Sequence, residues 1–218
     1  VDKKEFLARL PQGAVTAPAR PPGPAEAPPR DLLAELSAKL KGAGMGVHLR
    51  ETPAEALAHA LDLIRQSGAE RVGAADLGPE LNGRLPQAAR QAGLELVAAG
   101  DGQAEPRQLE PLQAGLTRAD LALASVGGLV QAARPGGGRL MSLLPWLHVV
   151  LLSAGDVLPS LDDLPAALND PARFPGGPPP AVSIIGGPSK TGDIEAVIVL
   201  GAHGPGRVEV VVWSQAGA

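Results

Sequence analysis

Apolar residues recur along most of this chain at spacings that alternate between helical and extended. Leu32, Leu33, Leu36 and Leu40 fall on one helical face, and Asp31 stands where a cap would close the first turn. Gly42 and Gly44 end that helix, and Met45 to Leu49 predicts a short strand. Thr52, Pro53 and Glu55 form a start signal for a helix running to about Gln66: a capping hydroxyl, a proline at the first position and a carboxylate returning to the cap. Strands are predicted at Arg71–Ala75 and Leu94–Ala98, with a polar, partly helical stretch between them. Two further β-like runs cover Asp120–Ala124 and Leu129–Ala132. Gly136–Leu144 reads as a glycine-rich loop entering a short helix, and Leu147–Leu152 as the most hydrophobic and most central strand. Leu158–Leu168 reads as a helix, Pro171–Pro180 as a surface loop, and Val208–Trp213 as an apolar run. Strands alternating with helices predict an α/β fold, a mostly parallel sheet with helices on both faces.

The first thirty residues follow another pattern. Phe6, Leu7 and Leu10 share one face of a short helix at 2–10, and residues 11–30 then hold seven prolines. The expected organisation is therefore an N-terminal helix on a proline-rich tether over residues 1–30, followed by one domain over 31–218.

Composition narrows the functional classes. A net charge of −4 without a basic block, and four aromatic residues in 218, leave no electrostatic footprint or stacking surface for nucleic acid. No apolar run approaches the roughly 20 residues of a membrane span, so no membrane partner is expected. The first residues lack the apolar segment of a signal peptide, and a cytoplasmic location is the default expectation. The absence of cysteine removes disulfides, thiolate metal sites and a cysteine nucleophile. No cofactor or resident metal is expected, and the four scattered histidines make no zinc constellation.

Polar functionality concentrates between two apolar runs, in Gly187-Pro188-Ser189-Lys190-Thr191-Gly192-Asp193-Ile194-Glu195 and Gly201-Ala202-His203-Gly204-Pro205. Backbone amides beside the glycines, the hydroxyls of Ser189 and Thr191 and the Lys190 ammonium suit a small anion. A Walker loop is not formed, because Ser189 precedes the lysine where a glycine is required. Asp193 and Glu195 are candidate acid–base groups if the segment is extended, which puts them on one face, although capping and salt-bridging is the commoner use of such a pair. His203 is a candidate proton carrier near neutral pH. Arg139, ending Arg134-Pro135-Gly136-Gly137-Gly138-Arg139, is a further candidate anion ligand, whereas His148 inside an apolar strand reads as a hydrogen-bonded core residue. No Gly-x-Ser-x-Gly elbow supports hydrolase chemistry.

Four segments in order resemble the LUD-domain family, in its lactate utilization protein C group. They are Gly115–Asp120, Arg139–Val150, the Gly187–Glu195 segment and Gly201–Pro205. The resemblance implies a three-layer α/β/α sandwich like that of glucosamine-6-phosphate deaminase, ribose-5-phosphate isomerase and the CoA transferases. It also implies a place in a system oxidising L-lactate to pyruvate, with iron–sulfur protein subunits as partners. A chain without cysteine would be the cluster-free component, binding a small anionic metabolite at Gly187, Ser189, Lys190, Thr191, Asp193, His203 and Arg139. Two alternatives stand beside it: a stand-alone enzyme acting on a phosphorylated or CoA-linked acid, and a structural interaction subunit. Whether it catalyses alone, and whether it forms a homo-oligomer, stay open. The chain departs from the family at Ser125-Val126-Gly127-Gly128, where an acidic residue and Thr-Gly-Thr or Thr-Gly-Ser are usual.

Overall fold

The local start signals are realised atom by atom. In the computed structural model, which describes residues 31–98, 112–133, 139–192, 198–201 and 203–214, the Asp31 carboxylate accepts from the Ala34 amide and opens α1 (Leu32–Gly42). Thr52 and Glu55 form the reciprocal capping box that opens α2 (Pro53–Gln66). The helix at 2–10 and its tether lie outside the described residues.

Between and after these helices come β1 (Gly46–Arg50), β2 (Arg71–Ala74), α3 (Pro79–Gln91), β3 (Glu95–Ala98) and β4 (Ala114–Arg118). Then follow β5 (Leu121–Leu123), β6 (Gly128–Ala132), a 3₁₀ turn at Leu140–Ser142, β7 (Leu147–Ser153), β8 (Val157–Leu158) and a short α4 (Leu164–Leu168). The chain continues through β9 (Val182–Ile185), β10 (Lys190–Gly192), β11 (Ile198–Leu200) and β12 (Arg207–Trp213). Six strands pair in the order β1-β12-β7-β4-β2-β3, every neighbouring pair parallel. A second sheet, β8-β5-β6-β9, is mixed, and β10 and β11 form an antiparallel pair.

The α/β class and the mostly parallel sheet follow the expectation, and β7 is central, as its uninterrupted apolar run requires. One face of the main sheet, through Val72, Leu116, Val149, Leu151 and Val211, packs on α2 and α3. The other face, through Val150, Leu152, Val208, Val210 and Val212, packs on Leu36 and Leu40 of α1. Helices thus lie on both faces, but α1 shares its layer with the small sheet. The alternation of β5 explains this arrangement. Ala122 points inward with Ala119 and Ala124 to let the two sheets approach, while Leu121 and Leu123 point outward under Leu164 and Leu168 of α4.

Several boundaries differ from the pattern-based expectation. Strand β4 was not anticipated, because its residues Ala-Gly-Leu-Thr-Arg carry one large apolar side chain. The helix expected over 158–168 is shorter, since Val157–Leu158 instead extends the small sheet beside β5. Ser125-Val126-Gly127-Gly128 forms the reversal from β5 to β6. There Gly127 has φ +66° and lies close enough to Lys39 of α1 that a β-carbon would collide with it.

Candidate functional site

Where β2, β4 and β7 end, their continuations diverge and leave a cavity of about 280 Å³ at the carboxyl edge of the main sheet. This is the edge at which α/β sheets bind ligands, because the connections part there and backbone donors converge. Asp76 follows β2, Thr117 and Arg118 end β4, and Asp156 follows β7. Asp120, Gln131, Arg139, Arg173 and Phe174 complete most of the wall.

Charge in this wall is organised by Asp156. Its carboxylate accepts from Arg173 Nη1 at 2.6 Å and from Arg118 Nη2 at 3.3 Å, and the Arg118 guanidinium also lies 5.5 Å over the Trp213 ring. Asp76 accepts from the Gly78 amide at 2.9 Å and from Asn82 Nδ2 at 2.7 Å, holding the start of α3. Gly78 has φ +89°, a left-handed conformation that favours glycine, and a β-carbon there would sit 2.9 Å from Arg118 Nη1, which would have to shift. Asp120 accepts from the Ala132 amide at 2.7 Å. Arg139 is exposed and differs from the other two arginines in having no ion pair among the described residues.

Arg139 is positioned by the turn it begins. Its carbonyl accepts from the hydroxyl of Ser142 at 2.8 Å and from the Ser142 amide. The buried Met141 presses on β2 and β4 at Gly73 and Gly115, where any β-carbon would collide with it. The two strand glycines therefore let the turn lie directly on the sheet.

Beneath the cavity runs a buried polar chain, Gln131–Thr117–His148. Thr117 is 1% exposed and His148 0%. Burial pushes the His148 ring down to about 3, so it is neutral and carries one proton. Among the described residues Nδ1 has no partner, and a buried N–H without an acceptor is costly, so the proton belongs on Nε2, 2.8 Å from Thr117 Oγ1. That oxygen then accepts from both His148 Nε2 and Gln131 Nε2, which leaves the proton of the Thr117 hydroxyl, in the cavity wall, available as a donor.

The Gly-Pro-Ser segment lies elsewhere. The Ser189 amide donates to the Pro205 carbonyl, and the Ser189 carbonyl accepts from the Gly201 amide, which ties the segment to the turn before β12. Lys190 is exposed and its Nζ donates to the carbonyl of Ala43, which precedes β1. Gly187 faces the same Ala43 carbonyl. Since β1 and β12 are parallel, this is the amino edge of the sheet, opposite the cavity. His203 is exposed in the same turn. Thr191 is placed by its backbone in β10, while Asp193 and Glu195 lie outside the described residues. Of the sequence-derived site residues, the structure gives Arg139 to the cavity and groups Gly187, Ser189, Lys190 and His203 at the other edge. Thr117 lies in the Gly115–Asp120 segment of the resemblance but was not singled out, and Gln131, Asp156 and Arg173 carried no local motif. For Thr117, Gln131 and Asp156 the available signal was polarity inside or just beyond a strand; Arg173 offered none.

Fold and site together define an α/β domain with a polar cavity at the carboxyl edge of its sheet. The model of the LUD domain matches residues 33–213, and the chain belongs to that family. It is 37% identical over 98 residues to lactate utilization protein C of Exiguobacterium sp., a match covering 45% of this chain and 43% of the relative. It is 36% identical over 98 residues to YkgG of Escherichia coli K12, covering 45% of this chain and 42% of that one. Each match thus spans less than half of the curated relative. A DUF162 family protein from Deinococcus radiodurans, known from its crystal structure, superposes with a TM-score of 0.56 at 18% identity. That likeness, over 84% of this chain and 96% of the other, concerns the fold. Among the described residues no helix is long and apolar enough to cross a membrane.

Proposed function

We propose that this protein is a cluster-free component of a lactate-utilization system that binds a small anionic metabolite at the carboxyl-edge cavity. The observation that carries the reading is Arg139, a guanidinium without an ion pair among the described residues, which begins a fixed turn and lines a cavity whose wall also holds the Thr117 hydroxyl. A carboxylate needs such donors, and a guanidinium offers two in one plane. The name lactate utilization protein C of the curated relatives supports lactate, a short 2-hydroxy acid, as the metabolite class. Because the chain has no cysteine to hold a cluster, electron transfer would fall to iron–sulfur subunits as partners. The Gly187–Thr191 loop, with Lys190 engaged on α1, supports the opposite edge and is the second place where an anion would be sought.

Titration of the protein with L-lactate and with pyruvate, followed by calorimetry and thermal shift, tests this. A ligand at 100 times its dissociation constant adds about 2.7 kcal/mol to stability. Arg139→Ala is expected to weaken binding at least tenfold, the loss of a charged hydrogen bond of about 1.5–3 kcal/mol. Lys190→Ala should leave it unchanged. Binding that survives Arg139→Ala but is lost in Lys190→Ala would move the site to the amino edge.

A further inference from the structure

The charged cavity does not stop at Phe174. A second, more open hollow of about 590 Å³ begins on the far side of the same wall, since Ala132, Arg173 and Phe174 line both. From there it runs along Ala133 and the segment Pro175–Pro180. The chemistry of the lining changes across that wall. The first cavity offers aspartates, arginines, Thr117 and Gln131. Apart from Arg173, the second offers alanine, phenylalanine, glycine and proline. Proline contributes no N–H and a rigid apolar ring, so this hollow suits hydrocarbon and gives little to a polar group.

The wall itself is fixed. Arg173 is held to Asp156 at 2.6 Å, and the amides of Arg173 and Phe174 both donate to the Asp170 carbonyl. The Gly177 amide in turn donates to the Phe174 carbonyl. A half-buried phenyl ring on an anchored turn, polar on one side and apolar on the other, is built to be crossed by a ligand with two unlike ends.

We propose that the ligand of this site is a bipartite acid, with its acid group at Arg139 and Thr117 and an aliphatic chain passing Phe174 into the proline-lined hollow. The proposal rests on the reading of the cavity as a small-anion site and extends it to a substrate class, longer-chain 2-hydroxy acids. Two observations support the extension. A three-carbon acid fills only part of a cavity of about 280 Å³, which is already near the size of a pocket for a larger ligand. A bare phosphate or a short dicarboxylate would leave the adjoining apolar surface without a partner.

The test is calorimetric titration of the full chain with L-lactate, 2-hydroxyhexanoate and 2-hydroxyoctanoate below their micellar concentrations. Wild type, Phe174→Ala, Phe174→Leu and Arg139→Ala are compared. Affinity should rise about three- to fourfold for each methylene that becomes buried. Phe174→Ala should remove most of that rise, while Phe174→Leu, which keeps apolar surface, retains it. Arg139→Ala should weaken all three acids by a similar factor. Measurable binding of the longer acids alone, dependent on both residues, also supports the proposal. If L-lactate binds and the longer acids bind no tighter, or if the rise survives in Phe174→Ala, the bipartite ligand is wrong and the small-anion site stands. If no acid binds, or Arg139→Ala changes nothing, the small-anion reading fails and the extension fails with it.

Discussion

Lys190 donates from Nζ to the carbonyl oxygen of Ala43 across 3.2 Å, and Ala43 closes the C-terminus of α1. A cation at this position meets the negative end of the helix and one of its unsatisfied carbonyls. The residue with the strongest look of an anion clamp is therefore occupied as a helix cap. Lys190→Ala should lower stability by under about 1 kcal/mol, the usual scale of a charge at a helix terminus. Urea unfolding measures this, and a loss beyond about 3 kcal/mol would show that the loop carries more of the fold than this contact explains.

His148 makes stability depend on acid pH. Its folded value of about 3 lies below the ordinary 6.5, so between those limits the unfolded chain binds the extra proton. Stability from this residue is complete above pH 6.5 and declines as the pH falls, at about 1.4 kcal/mol per unit, until about pH 3. His148→Gln, which has no titrating group, should flatten that slope relative to wild type in denaturant melts at pH 4, 5 and 6. Equal slopes would mean that the ring is charged in the folded state.

Asp156 neutralises Arg118 and Arg173 together, with its side chain 17% exposed. Asp156→Asn should cost about 2 kcal/mol of stability, since two charge-assisted hydrogen bonds weaken. It should also free positive charge in the cavity, so affinity for an acid ligand is expected to rise several-fold. A fall in affinity would mean that Asp156 shapes the wall more than it quenches it.

Gly115 lies under the Met141 carbonyl, with no room for a β-carbon. Gly115→Ala must push the 3₁₀ turn off the sheet, an overpacking cost of about 1–3 kcal/mol. Because Arg139 begins that turn, ligand affinity should fall in parallel with stability. Loss of stability with unchanged affinity would separate Arg139 from the turn.

The helices were legible because their signals are short-range. Thr52 and Glu55 act on backbone groups within one turn, and the structure contains the reciprocal bonds that their spacing implies. Strand β7 was legible because Leu147–Leu152 is buried on both faces. Strand β4 was not, and its composition shows why. Gly115 is small to admit Met141, and Thr117 is polar to meet His148 and Gln131. What hides the strand is part of what builds the cavity.

The polar density around Gly187–His203 marked a real junction, but density does not say at which end of a sheet a loop will lie. The sequence by itself determined the α/β class, the start of each capped helix, the central place of β7 and the absence of any thiolate chemistry. These follow from contacts between near neighbours, from burial pattern or from composition. Only the tertiary structure decided that β4 runs between β2 and β7. It alone set the Lys190 loop at the amino edge and gathered Arg139, Thr117, Asp156 and Phe174 at the carboxyl edge. Those residues come from separate segments. Their proximity arises from long-range strand pairing, which leaves no mark on the spacing of residues along the chain.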